Sequence, residues 1–119
     1  MAYIATKPDF YLGRVVGSGQ CVAYVQQACK APLTKKWKRG ALVRGNKDIK
    51  PGTAIATFSK DGVYENKTTG ESHAAIYLAQ NDKGILVLDQ WLKQPVHNRI
   101  IREGGVKDVN NALKYYVIE

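Results

Sequence analysis

The apolar positions of this chain change period part-way along it. Between Gln20 and Lys30, Cys21, Tyr24, Val25 and Ala28 recur at i, i+3, i+4 and i+7, the spacing of one face of an α-helix. Ser18 reads as the N-cap of that helix, and Pro32 ends it. Pro8 and Asp9 predict an earlier, short helix start. Residues 33–46, with Trp37 among lysines, predict a short helix and a loop. Pro51-Gly52 is a turn signal. From there the apolar runs are short and rich in strand formers: Thr53–Phe58, a short Val63–Glu65, His73–Ala79, Ile85–Trp91, Val96–Arg102 and Leu113–Ile118. Lys67–Glu71 reads as a polar loop. Helices first and strands afterwards predict an α+β fold, N-terminal helices packed on an antiparallel β-sheet.

The two strongest strands bracket Gln80–Gly84, read as a five-residue hairpin loop with a late glycine. With that loop Ala79 faces Ile85, Tyr77 faces Val87, Ala75 faces Asp89 and His73 faces Trp91. Side chains alternate faces along a strand, so His73 and Asp89 become diagonal neighbours on one face, about 7–8 Å apart. A loop one residue shorter would bring Gln90 to that face instead. Asp89 is the favoured reading.

Length adds one constraint and charge another. At 119 residues the chain reads as a single domain, 1–119. A chain of that size buries roughly two-thirds of its surface, enough for a core without covalent staples. No apolar run approaches the roughly 20 residues that span a bilayer. The first ten residues, MAYIATKPDF, show no basic start followed by an apolar block. The expectation is synthesis in the cytoplasm without a signal peptide. The net charge of +8 favours polyanionic partners: nucleic acid, an anionic membrane face or an acidic cell-wall polymer. Lys35, Lys36, Lys38 and Arg39 form the dense basic run, which reads equally well as a solvated face. No zinc-ligand pairs or aromatic RNA-binding signature accompany it, so no nucleic-acid partner is expected.

The chemistry begins at GSGQC, residues 17–21. A cysteine just after a flexible turn, at the head of a helix, sits where unpaired backbone N–H groups favour a thiolate, and the thiolate is the nucleophile. Cys29, eight residues along the same helix, lies about 12 Å away at the standard rise. That is too far for a disulfide, and Cys29 reads as a buried small hydrophobe. A thiol attacking an amide needs a base that later protonates the leaving amine, and a third group to orient the base. His73 and Asp89 fit those roles, with Gln90 as the other register's candidate. A carboxylate in the apolar run ILVLDQW wants a partner. Backbone N–H groups at the helix start can hold an oxyanion. Gln20 either adds a side-chain donor there or points away. Trp91 and Trp37 read as core or cleft wall, and His97 as structural. Two cysteines and two histidines offer no metal-ligand spacing, so no metal or other cofactor is implied.

Four blocks resemble the papain-like cell-wall cysteine amidases and peptidases of the CHAP and NlpC type. They are CVAYVQ at 21–26, KPGTAIA at 50–56, SHAAIY at 72–77 and LDQW at 88–91. They stand in the family's order, and the resemblance covers residues 17–91 well and the ends weakly. Ser72 replaces the usual glycine, Thr53 replaces the usual aspartate, and the extra asparagine of the CHAP tetrad is missing after Gln90. Small size, basic charge and the absence of a visible leader or wall-binding segment look most like amidase effectors delivered by type VI secretion. The resemblance implies cleavage of a stem-peptide or crosslink amide of peptidoglycan in the periplasm of a target cell, by Cys21, His73 and Asp89. It also implies a cognate immunity protein that blocks the cleft. Two other readings stand beside it: a non-catalytic basic module that binds a polyanion, and a papain-like protease or deamidase acting on a host protein.

Overall fold

The computed structural model describes residues 2–119. One α-helix, α1 (Cys21–Cys29), lies against a sheet of six strands: β1 (Arg39–Leu42), β2 (Ala54–Thr57), β3 (Ala74–Asn81), β4 (Gly84–Trp91), β5 (Gln94–Ile101) and β6 (Tyr115–Ile118). The strand order is β1-β6-β2-β3-β4-β5, and the pairs are antiparallel.

The sheet is buried on both faces at its centre, and its composition explains how. Ala54, Ala56 and Ala74 point toward α1 together with Ile76 and Leu88, so small side chains let the helix approach closely. Tyr24 and Val25 of the helix are fully buried against them. Ile55, Ala75, Tyr77, Ile85, Val87 and Tyr115 point the other way, into a second apolar cluster with Val43, Ile101 and Ala112. Alternation along the strands thus feeds two cores rather than one core and solvent.

Among the described residues the expected plural helices reduce to one α-helix. Pro8–Tyr11 and Thr34–Lys36 are single 3-10 turns. Four and three residues are too few to repeat the α hydrogen bond. Gln20, not Ser18, is the N-cap of α1; the Ser18 hydroxyl instead accepts from Gln20 N–H at 3.4 Å. Residues 39–42 form a strand where a loop was expected. β1 sits at the sheet edge, mostly exposed, and owes its conformation to pairing with β6 rather than to its own pattern. Val63–Glu65 forms no strand. The Ser59–Gly62 turn folds Tyr64 inward beneath the helix instead.

The β3–β4 hairpin reaches the expected pairing by another route. Asn81 pairs with Gly84, so only Asp82 and Lys83 form the turn, and Gln80 and Asn81 belong to β3. That tighter turn shifts the register by one, and an irregularity between Tyr77 and Ala79 shifts it back. Beyond it Tyr77 faces Val87, as the sequence reading placed them.

Candidate active site

Cys21 stands at the first position of α1, at the mouth of a cleft. Gly17 and Gly19, with φ of 56° and 88°, make the left-handed turns that bring the chain into the helix. Gly19 N–H closes one of them on the Val16 carbonyl at 3.0 Å. Gln90 clamps this loop from β4. Its Nε2 donates to the carbonyls of Val16 and Gln20, each at 2.8 Å, and its Oε1 accepts from Val16 N–H at 3.0 Å. Gln90 is fully buried and fully engaged there, so it faces the cysteine loop rather than the histidine.

His73 precedes β3 by one residue and is fixed through its backbone. Its N–H donates to Thr57 Oγ1, and its carbonyl accepts from Thr57 N–H, both at 3.0 Å. The ring turns toward β4, where Nε2 meets Asp89 Oδ2 at 2.7 Å. With Nε2 taken, Nδ1 is the ring nitrogen left for the Cys21 thiol, which lines the same cleft. The three residues singled out from sequence therefore gather at one site: Cys21 and His73 line one cleft, and Asp89 holds the far side of the ring.

Burial would raise the Cys21 thiol pKa, but the His73 ring, by hydrogen bond and by charge, the Ala74 backbone and the Tyr64 hydroxyl outweigh it and hold the thiol below its ordinary range. Burial would lower the His73 pKa. The hydrogen bonds to Asp89 and Cys21 and the charges of both outweigh that and push it up to about 9. Asp89 is held below the usual carboxylate range: burial opposes its charge, and His73 and Arg99 more than compensate. These directions favour a thiolate beside an imidazolium.

Three neighbours escaped the sequence reading. The Tyr64 hydroxyl lies 3.8 Å from Cys21 Sγ. Arg99 Nε donates to Asp89 Oδ2 at 2.7 Å, and its guanidinium lies 5.4 Å from the Trp91 ring centroid. His97, assigned a structural role, pairs across the β4–β5 ladder with Asp89, its Nε2 3.0 Å from Oδ1. Counting back from a two-residue turn at Leu92-Lys93, with one irregularity, would have placed His97 opposite Asp89. Nothing in the pattern around Tyr64 signalled its inward turn.

The cleft over the thiol has a volume of about 230 Å³ and is lined by Gln20, Cys21, Tyr64, Ser72, His73 and Trp91 among others. Trp91, 43% exposed, forms a wall against His97 and His73, with ring centroids 4.8 and 6.3 Å away. A second hollow of about 260 Å³ shares Lys67, Thr68, Ser72, His73 and Trp91 with the first and runs on to Arg99. Gln20 lines the cleft and Trp91 walls it; Gln90 does neither. Cys29 lies in the core, its Sγ 3.7 Å from the Gly52 carbonyl.

A family model described as Domesticated amidase effector 2 matches residues 1–118. A curated relative from Salmonella typhi, "Type VI secretion amidase effector 2 protein", is 38% identical over 114 residues, covering 84% of this chain and 84% of the relative. One from Ixodes scapularis, "Domesticated amidase effector 2", is 41% identical over 120 residues, covering 94% of this chain and 81% of the relative. The solved structure titled "Type 6 secretion amidase effector 2 (Tae2)" superposes with a TM-score of 0.88 at 34% identity, covering 98% of this chain and 94% of that one.

Proposed function

The chain belongs to the Domesticated amidase effector 2 family, and from that premise we propose that residues 1–119 form one papain-like cysteine amidase domain. It hydrolyses an amide of the peptidoglycan peptide stem or crosslink. The observation that carries the reading is the aligned set of a helix-head thiol, a buried imidazole and a buried carboxylate, with His73 Nε2 and Asp89 Oδ2 at 2.7 Å.

Cys21 is the nucleophile. Its thiolate adds to the amide carbon, and the carbonyl π electrons move onto oxygen. Backbone N–H groups in the first turn of α1, which have no partner within the helix, face the developing oxyanion. His73, protonated on both nitrogens in the ion pair, gives the Nδ1 proton to the leaving amine as the C–N bond breaks. Neutral His73 then takes a proton from water as the water adds to the thioester, and keeps it as the carbonyl re-forms and the thiolate departs, which restores the ion pair. Throughout, Asp89 holds Nε2–H and stabilises the imidazolium. Gln20 and Trp91 form the walls against which substrate lies.

The same reading takes in the setting. The Salmonella typhi relative is named for type VI secretion, and we infer that route for this chain, with the periplasm of a target cell as its place of action. The +8 charge suits carboxylate-bearing stems and an acidic inhibitor that closes the cleft. The test is a digest of purified peptidoglycan by wild type and Cys21→Ala, with products separated by mass. Release of new stem fragments by wild type alone is expected. Equal release by the variant overturns the mechanism, and no release by either overturns the substrate.

A further inference from the structure

The carboxylate of Asp89 is fully buried, and its two oxygens are treated unequally. Oδ2 receives His73 Nε2 and Arg99 Nε, each at 2.7 Å. Oδ1 has no hydrogen bond among the described residues, and neither has the buried Nε2 of His97. Those two atoms lie 3.0 Å apart, close enough in distance but out of line for a hydrogen bond. One is an ionised acceptor, the other a ring nitrogen able to carry a proton. A buried carboxylate oxygen left without a donor is costly, and a turn of the imidazole is what would bring N–H and oxygen into line.

We propose that His97 is a positioning residue of the catalytic centre, donating from Nε2–H to Asp89 Oδ1. This rests on the reading of Cys21, His73 and Asp89 given above. A carboxylate held by one oxygen can swing about its Cβ–Cγ bond and draw His73 with it. Held by both, its plane is set, and Oδ2 stays aimed at His73. The ladder supplies the reach, since His97 and Asp89 are direct partners across β4 and β5. Trp91 steadies the ring from the side, its plane at 79° to the imidazole with centroids 4.8 Å apart. His97 is absent from the lining of the cleft, so it acts through Asp89 and not on substrate.

The test compares His97→Phe, which keeps the ring packing and removes the donor, with His97→Gln, which restores an amide N–H at similar reach. His97→Phe should lower kcat about tenfold with KM unchanged, the scale on which supporting partners of an orienting group act. His97→Gln should recover most of that loss. Cys21 alkylation by iodoacetamide, followed against pH, needs no substrate and so stays readable if peptidoglycan is the wrong one. In His97→Phe its profile should move to higher pH. A wild-type kcat in His97→Phe overturns the proposal. So does a loss that His97→Gln fails to recover while the alkylation profile stays put, because that pattern belongs to packing alone. Should His97→Phe fail to fold, long-range 1H–15N NMR of the wild-type chain reads the tautomer directly: a proton on Nε2 supports the donation, and a ring protonated only on Nδ1 overturns it.

Discussion

Gln90 Nε2 donates to the carbonyl of Gln20 at 2.8 Å, tying the residue before the nucleophile to the strand that carries Asp89. Adjacent side chains of β4 point to opposite faces. Asp89 therefore holds His73 while Gln90 holds the loop that delivers Cys21. A single strand sets both halves of the site. Replacing Gln90 by Leu would leave the buried Val16 N–H without its acceptor, and would leave the Val16 and Gln20 carbonyls only their turn donors, Gly19 N–H and Ala23 N–H. We expect a loss of about 2–3 kcal/mol in urea unfolding. Turnover should fall with it, because the loop into α1 loses its anchor. Unchanged stability would show that water or a neighbour replaces the clamp.

Asp89→Asn separates orientation from packing. The amide is nearly isosteric but presents a neutral group to His73, so the ring loses its preference for the imidazolium and for the useful tautomer. A fall in kcat of about 10²–10⁴ is expected, by analogy with the loss of the orienting aspartate in other triads. Since Gln90 is committed to Val16 and Gln20, it cannot take over. Retention of full activity in Asp89→Asn would remove Asp89 from the mechanism.

The coupled shifts of Cys21 and His73 predict the pH dependence. The reactive form needs the thiol deprotonated and the imidazole protonated, so kcat/KM should be bell-shaped. Its acid limb lies below the ordinary thiol range, and its alkaline limb near about 9, the raised value of His73. Both limbs describe the pair rather than either residue. Stability follows the same signs. The His73 contribution is complete below the ordinary value of 6.5 and is lost as pH rises through about 9. The Cys21 and Asp89 contributions are present above their ordinary values and are lost as pH falls through their lowered ones. Rate measurements and urea midpoints across pH 4–10 check this; an alkaline limb near the ordinary imidazole value would sink the ion pair.

The Tyr64 hydroxyl lies 3.8 Å from Cys21 Sγ and donates to it once the thiol is ionised. Tyr64→Phe keeps the ring against Trp37, whose centroid is 4.8 Å away, and removes only the oxygen. Cys21 alkylation at neutral pH should slow a few-fold as the thiol pKa rises, with unfolding stability changed by less than about 1 kcal/mol. An unchanged alkylation rate would leave Tyr64 with packing alone.

What could be read from the chain was whatever its period encodes. The i, i+3, i+4, i+7 spacing placed α1, and period-two alternation put His73 and Asp89 on a common face. The hairpin is instructive because a two-residue turn and a compensating irregularity near Leu78 stand where five loop residues were expected. Two errors of register cancelled before the strand reached Asp89. Such irregularities leave no mark in hydrophobic patterning, and neither does a strand like β1 that exists because a neighbour pairs with it. Arg99 and His97 were hidden for a related reason. Their role follows from the β4–β5 turn at Leu92-Lys93, where Lys93 takes φ of 72° without the glycine or asparagine that usually signals it.

The two cysteines should respond to one reagent in opposite ways. Cys21 sits at the cleft with its thiol held below the ordinary range. Cys29 ends the same helix inside the core, and burial, only partly offset by the Ala5 backbone, pushes its pKa up to about 12. At neutral pH iodoacetamide should therefore place one adduct per folded chain, on Cys21, and abolish turnover; unfolding in urea should expose the second. Peptide mass mapping before and after denaturation distinguishes them. Cys29→Ala should keep activity, since its sulfur lies in the core against packing partners and the Gly52 carbonyl, and should lose about 1 kcal/mol for the small cavity left behind. A native adduct on Cys29, or a Cys29→Ala chain that is folded but inactive, would assign the nucleophile to the wrong end of the helix.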